Sequence, residues 1–304
     1  MTQHVAVLMG GWSAEREVSL VTGEAVCGAL KENGYRVTAI DVASDIFEIL
    51  SDLKPDVAFN ALHGRFGEDG CIQGILEVLE IPYTHSGVLA SALAMDKPRA
   101  RQMFSSVAIP CPEGRVVHRD ELLDGPVLDP PYVIKPTNEG SSVGVRLVFE
   151  GDNVSLLDQA NWAYGEYVLI EKYIPGREIQ VAVMDDRALG AIEIRPKKRF
   201  YDYEAKYTDG WADHIMPAKI PKADYEESLR LALLAHQTIG CRGVTRSDLR
   251  YDDTVTSDTR LYMLEINTQP GMTPLSLVPE IAANIGISFR ELTNLIVQDA
   301  GCQK

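Results

Sequence analysis

One alternation constrains this chain more than any other feature. A short apolar run, HVAVLM at residues 4–9, is broken by two glycines. A long amphipathic stretch follows, SAEREVSLVTGEAVCGALKENG, and then two further apolar runs, YRVTAIDV and PDVAFNAL. The apolar runs are too short for helices, and the stretch after the first has helical period. Strands joined through a helix come out parallel, with the helices packed on the sheet. Ser13 suits the N-cap of that first helix, Val18, Val21, Ala25, Ala29 and Leu30 supply its apolar stripe, and Gly34 ends it. After a glycine-rich loop, IQGILEVLE reads as a helix and IPYT as the start of another strand. Residues 1–88 are therefore expected to form an α/β domain with a parallel sheet.

The remainder reads differently. ASALAMDKPRARQMFSSV is helical, and its Pro98 suits the start of a second helix. PYVIKPTNEGSSVGVRLV reads as two strands around a glycine- and serine-rich turn. YVLIEKYI, EIQVAVMD and ALGAIEI are β-rich, YEESLRLALLAHQTIG is an amphipathic helix, and SFRELTNLIVQDA is a closing helix. This half is α+β and mostly antiparallel, with a seam expected near Glu171. At 304 residues the chain has room for two or three domains.

A formal charge of −15 argues against a surface that coats nucleic acid, but it leaves room for a locally basic pocket. Cys27, Cys71, Cys111, Cys241 and Cys302 are scattered with no C-x-x-C pair, which favours a reducing cytoplasm over a disulfide framework or zinc site. No apolar run approaches the roughly 18 residues that a membrane span needs, and the N-terminus lacks the layout of a signal peptide.

Chemistry gathers at the ends of strands. Residues 261–272 read LYMLEINTQPGM. Strict alternation places Leu261, Met263, Glu265 and Asn267 on one face, so an apolar row ends in oxygen donors. On the preceding strand, Arg246 and Asp248 also share a face. If the two strands pair around the polar turn between them, Asp248 falls beside Glu265 and Arg246 beside Asn267. Two carboxylates about 4 Å apart repel by roughly 4 kcal/mol at an effective dielectric near 20. A hard cation relieves this, and all-oxygen ligands suit Mg²⁺ or Mn²⁺. The alternative is a solvated hairpin face with cross-strand charge pairs. In VIKPTNEGSSVGV a lysine, Lys135, ends an apolar strand before a turn of small residues. Main-chain N–H groups and the hydroxyls of Ser141 and Ser142 there suit phosphate oxygens, or the turn is a plain hairpin. It is neither a Walker A loop nor a dinucleotide fingerprint. VLIEKYIPGRE sets Glu171 and Lys172 at a strand end, with Glu178 after the turn. That pattern suits an adenine edge and a ribose, or an edge-strand charge cluster. Glu15 opens a helix that follows a strand, and His63 lies in the glycine-rich loop LHGRFGEDG. Both are where ligands of open α/β sheets bind, although acidic residues also favour helix starts for their own sake. FYDYEAKYTDGW reads as a lid carrying Lys206 and Tyr207, or as an exposed loop.

In this order GGWSAEREVSL, ALHGRFGEDG, ASALAMDK, VIKPTNEGSSVG, LIEKYIPGRE, YDYEAKY, TRSD and LEINTQPGMT resemble the ATP-grasp D-alanine–D-alanine ligases along essentially the whole chain. The resemblance implies an ATP-grasp fold with an N-terminal parallel-sheet (pre-ATP-grasp) domain. Its divisions would be residues 1–88 for substrate binding, 89–171 for a central ATP-grasp part, and 172–304 for a C-terminal part with the metal site and lid. It implies that ATP phosphorylates one D-alanine and that the amine of a second attacks the acyl phosphate. It implies Asp248, Glu265 and Asn267 as ligands of two Mg²⁺ or Mn²⁺ ions. Lys97, Lys135, Ser142, Glu171, Lys172, Tyr173, Ile174, Glu178 and Lys206 would bind ATP. Glu15, with His63 nearby, would take the first D-alanine, and Ser276 the second carboxylate. Arg246 and the Gly271 N–H would form an oxyanion hole, and Ser141 and Tyr207 would orient the site through Glu15. A homodimer is also implied. The family often has Gly-Arg-x-Asp on the metal strand, whereas Thr245 replaces the glycine here. The runner-up readings are another ATP-grasp carboxylate–amine ligase with a different acceptor, and a nucleotide-binding regulator without turnover. An oxyanion hole is superfluous in a regulator.

Overall fold

The structure, a computed structural model, describes residues 2–123, 125, 127–141, 143–152, 162–196, 212–256 and 259–302. The expected alternation is present at the start: β1 (His4–Gly10), α1 (Arg16–Glu32), β2 (Arg36–Val42), α2 (Ile46–Leu53), β3 (Val57–Asn60) and α3 (Cys71–Val78). The three strands form a parallel sheet of order β2-β1-β3. Val5 to Leu8 of the central strand are wholly buried, as a strand with helices on both faces requires. Each such Val or Leu contributes roughly 1.5–3 kcal/mol by burial.

Local expectations differ at several points. Ser13 does not cap α1. Glu15 holds the N-cap position, and the Ser13 hydroxyl instead donates to His63 O at 2.6 Å. Val21 is 47% exposed, and Val26 and Cys27 carry the buried stripe in its place. IPYT makes only isolated bridges, from Tyr83 to Ala58 and to Gly301. Pro98 starts a second helix as expected: α4 (Val88–Met95) gives way to α5 (Lys97–Ser106), with Asp96 as N-cap accepting from Arg99 N at 3.0 Å.

Two antiparallel sheets follow. The smaller comprises β4 (Gly114–His118), β5 (Tyr132–Pro136), β6 (Arg146–Val148) and β7 (Tyr167–Lys172) in the order β4-β7-β5-β6. The larger comprises β8 (Arg177–Met184), β9 (Arg187–Pro196), β10 (Ala212–Ile215), β11 (Val244–Tyr251) and β12 (Leu261–Asn267) in the order β10-β9-β8-β11-β12. The chain crosses between these sheets at residues 173–176. Helix α6 (Lys222–Ile239), together with α4 and α5, covers one face of the larger sheet through a core that includes Phe104, Val181, Leu231, Leu249 and Met263. The other face begins in a core shared with the parallel sheet, α7 (Leu277–Asn284) and α8 (Phe289–Gln298). Beyond that apolar part, the same face is polar.

Candidate active site

The polar face is built by strand register. Arg246 pairs with Asn267 and Asp248 with Glu265 across β11 and β12, as the residue spacing had suggested. The row assignment on β12 is corrected, however. The register shifts after Asp248, so that Leu249 pairs with Met263 and Leu264 is an extra residue on β12. This β-bulge breaks the alternation. Met263 and Ile266, three residues apart, both enter the core under α6, while Leu264 and Glu265 both line a cleft. Leu261 and Met263 therefore face away from Glu265 and Asn267. The bulge lets an apolar strand end in ligands without exposing its apolar row.

Two clefts meet here. One, of about 930 Å³, brings together Glu15, His63, Lys97, Ser141, Arg246, Glu265, Asn267, Gly271 and Ser276. The other, of about 980 Å³ between the two antiparallel sheets, brings together Lys97, Lys135, Glu171, Lys172, Tyr173, Ile174, Glu178, Asp248 and Glu265. Lys97 and Glu265 line both, and their side chains are 3.4 Å apart. Ser142, Lys206 and Tyr207, with the expected lid, lie outside the described residues.

The first cleft joins three segments distant in sequence. Glu15 is buried and accepts a hydrogen bond from the Ser141 hydroxyl. Ser141 holds a left-handed backbone (φ 50), a conformation that costs about 1–3 kcal/mol outside glycine. Gly64 leaves room for Glu15, since a Cβ there would stand 2.7 Å from Glu15 Oε2. His63 uses both ring nitrogens, Nδ1 toward Glu68 Oε1 at 3.3 Å and Nε2 toward Thr22 Oγ1 at 3.1 Å, and so borders the cleft as a fixed wall. Arg246 grips Asp248 with two hydrogen bonds of 2.7 and 3.0 Å. Asn267 Oδ1 accepts from Gln269 N at 2.7 Å, which steadies the turn toward Gly271. Ser276 is the N-cap residue of α7, and its hydroxyl accepts from Thr273 N at 2.9 Å. A helix N-terminus facing the cleft suits an anion.

The second cleft is cationic on one side. The Lys97 ammonium donates to Glu139 O. Glu171, almost wholly buried, is held by Lys135 and by Arg101. Removing one partner from a buried ion pair typically costs about 3–5 kcal/mol. The Tyr173 N–H donates to Pro131 O, and Ile174 O accepts from Arg250 Nε, so those two main-chain groups are already engaged. Asp248, Glu265 and Asn267 offer only oxygen donors on adjacent strands, a set that suits a hard divalent cation. No cluster of three or more His, Cys, Asp or Glu side chains forms a metal site among the described residues; two carboxylates and an amide are the donors on offer.

Several site residues escaped the sequence reading. Arg101 lies one helical turn after Lys97, and that spacing was the available signal. Glu68 and Thr22 hold His63, and nothing in their local sequence marks them. Thr245 points away from the cleft. It is wholly buried, and its hydroxyl shares a 2.8 Å hydrogen bond with His236 Nδ1 on α6. The threonine in place of glycine is thus absorbed by helix packing, and Arg246 and Asp248 keep their face.

Residues 118–298 match the family model described as the D-ala D-ala ligase C-terminus, and residues 47–86 match that of the N-terminus. The chain is 56% identical to the D-alanine–D-alanine ligase of Chelativorans sp. over 99% of each chain. It is 55% identical to that of Parvibaculum lavamentivorans, again over 99% of each. Among solved structures it resembles the Bacillus anthracis D-alanine–D-alanine ligase complexed with ATP, at 32% identity and a TM-score of 0.82, covering 98% of this chain and 97% of that one. It also resembles the VanG D-Ala:D-Ser ligase of Enterococcus faecalis, at 27% identity and a TM-score of 0.80, covering 98% and 99%.

Proposed function

The chain belongs to the D-alanine–D-alanine ligase family, and from that premise we propose that its two clefts join two molecules of D-alanine, driven by ATP, for peptidoglycan precursor synthesis. The observation that carries this reading is the register of β11 and β12. It sets Asp248 opposite Glu265 and Arg246 opposite Asn267 where the two clefts meet.

A carboxylate is a poor electrophile and must first gain a leaving group. The carboxylate of the first D-alanine attacks the γ-phosphorus of ATP, the bond to the β-phosphate oxygen breaks, and an acyl phosphate and ADP result. Both reactants are anionic, so Lys97 and Lys135 hold phosphate oxygens during transfer. Glu15, oriented by Ser141, takes the ammonium of the first D-alanine, with His63 as a wall beside it. Ser276 at the start of α7 takes the carboxylate of the second. The ammonium of the second gives one proton to solvent, its amine attacks the acyl carbon and releases a second proton to solvent, and Arg246 with the Gly271 N–H faces the developing oxyanion. Collapse breaks the carbon–oxygen bond to phosphate and leaves the dipeptide. Asp248, Glu265 and Asn267 would hold two Mg²⁺ or Mn²⁺ ions, whose role when bound is to neutralise phosphate charge. Glu171, Lys172, Tyr173 and Ile174 surround the base and Glu178 takes the ribose. The same reading assigns Ser142 and Lys206 to ATP and Tyr207 to orienting the site through Glu15; all three lie outside the described residues.

The same reading divides the chain at 88 and 171 and makes it a cytoplasmic homodimer. No helix among the described residues is long and apolar enough to cross a membrane, and the five cysteines are free thiols. Purified protein given ATP, Mg²⁺ and D-alanine is expected to release ADP in a D-alanine-dependent way. ADP release indifferent to D-alanine would sink the proposal.

A further inference from the structure

Gln180 stands in the middle of the catalytic face without a part in the reaction described. It lies on β8 opposite Asp248 of β11, which lies opposite Glu265 of β12, so the three form one row across the sheet. Its side chain is 1% exposed and borders the cleft that holds Arg246 and Glu265. The two ends of its carboxamide are not equivalent. Nε2 donates to Glu178 Oε1 at 2.9 Å, which sets the orientation of the amide, because a carboxylate accepts and cannot donate. Oε1 is then buried without a hydrogen-bond partner among the described residues. Buried polar atoms are nearly always paired, so this oxygen calls for a donor. Neither neighbouring carboxylate can be one. Directly opposed residues of antiparallel strands have Cβ atoms about 4.5–5.5 Å apart, which puts the Gln180 amide within reach of a water beside Asp248.

We propose that Gln180 is a positioning residue for the nucleotide-bound cation. Its Oε1 accepts a hydrogen bond from a water on a divalent ion held by Asp248 and Glu265, while its Nε2 steadies Glu178. The carboxamide thereby couples the cation site to the ribose side of the nucleotide. Waters on a divalent cation are strongly polarised donors, and groups that hold a metal's outer partners typically alter its affinity 10- to 100-fold. The inference rests on the metal reading given above.

The test is Mn²⁺ binding to the full chain with ADP, followed by the electron paramagnetic resonance signal of free Mn²⁺, so that no turnover is involved. Gln180→Met keeps the volume and removes the acceptor, and it is expected to weaken Mn²⁺ about tenfold while ADP affinity without metal changes less than about threefold. Gln180→Glu keeps an acceptor oxygen and is expected to bind Mn²⁺ at least as well as the wild type. Unchanged Mn²⁺ affinity in Gln180→Met, or equal losses in both variants, overturns the proposal. Glu265→Gln separates the two layers: if it leaves Mn²⁺ binding intact, the metal site itself is misassigned and the role of Gln180 falls with it. Should Gln180→Met fail to fold by circular dichroism, Gln180→Thr, whose hydroxyl is too short to reach, decides by the same titration.

Discussion

Thr245 and His236 show how single residues carry the fold without touching the chemistry. His236 is buried on α6 with its Nδ1 bonded to Thr245, and burial pushes it down from an ordinary 6.5 to about 4. A histidine kept neutral in the fold and free to charge when unfolded leaves stability intact above pH 6.5. Stability is then lost as pH falls from 6.5 toward 4. Its share is about 2 kcal/mol between pH 7.5 and 5. His236→Gln, which keeps a hydrogen-bonding group without a charge to gain, is expected to shrink the acid loss seen in urea unfolding by that amount. An unchanged pH dependence would mean that His236 is solvated in the native state. At this scale much of the site was legible. Lys97, Lys135, Glu265 and Asn267 stand at or near strand or helix ends, where a polar residue after an apolar run is visible by eye, and Asp248, mid-strand, is found by matching its spacing from Arg246 to that of Glu265 from Asn267. Gln180, Arg101 and Glu68 were not, because each matters through a partner on another strand, helix or loop.

The decisive element is the hairpin of β11 and β12 with the turn that follows. Its pairing could be inferred from two residue pairs with matched spacing, and the structure has that pairing. The bulge at Leu264 could not be inferred. A bulge reflects how a strand must bend over its core, and alternation read along one strand carries no record of it. Helix α2 sits between two apolar strands that dominate this stretch of sequence, and its own apolar residues recur at helical spacing. The turn after β12 offers a direct check. A Cβ at Gly271 would stand 2.9 Å from Ser276 Oγ, so Gly271→Ala must displace the hydroxyl at the start of α7. The KM for the second D-alanine is expected to rise at least tenfold, a loss of about 1.4 kcal/mol in binding, with the KM for ATP changed less than about threefold. Equal effects on both constants would mean that the turn shapes the whole cleft and not the acceptor end alone.

Across the whole molecule, the site exists because three sheets converge. Glu15 and His63 come from the loops of the parallel sheet, Lys135 and Glu171 from the small antiparallel sheet, and Arg246, Asp248 and Glu265 from the large one. Helices α4 and α5 pack under the large sheet, and so Lys97 is anchored beside Glu265 while it reaches the loop at Glu139. Apolar side chains such as Val78, Leu89 and Trp12 remain more than half exposed on the single chain. With the proposed dimer, sedimentation is expected to give a species of twice the 33.5 kDa chain mass at micromolar concentration; a purely monomeric boundary would overturn that assignment. The amino-acid sequence by itself determined the class of each sheet and the order of the motifs. Hydrophobic period and turn residues are local properties, and a run of charged residues at strand ends is local too. Only the tertiary structure decided which face of β12 carries Glu265, that Arg101 and Lys135 share one buried carboxylate, and that the Gln180 oxygen is buried without a partner among the described residues. Those outcomes depend on strand bending, helix placement and burial, which are properties of contacts between segments far apart in the chain.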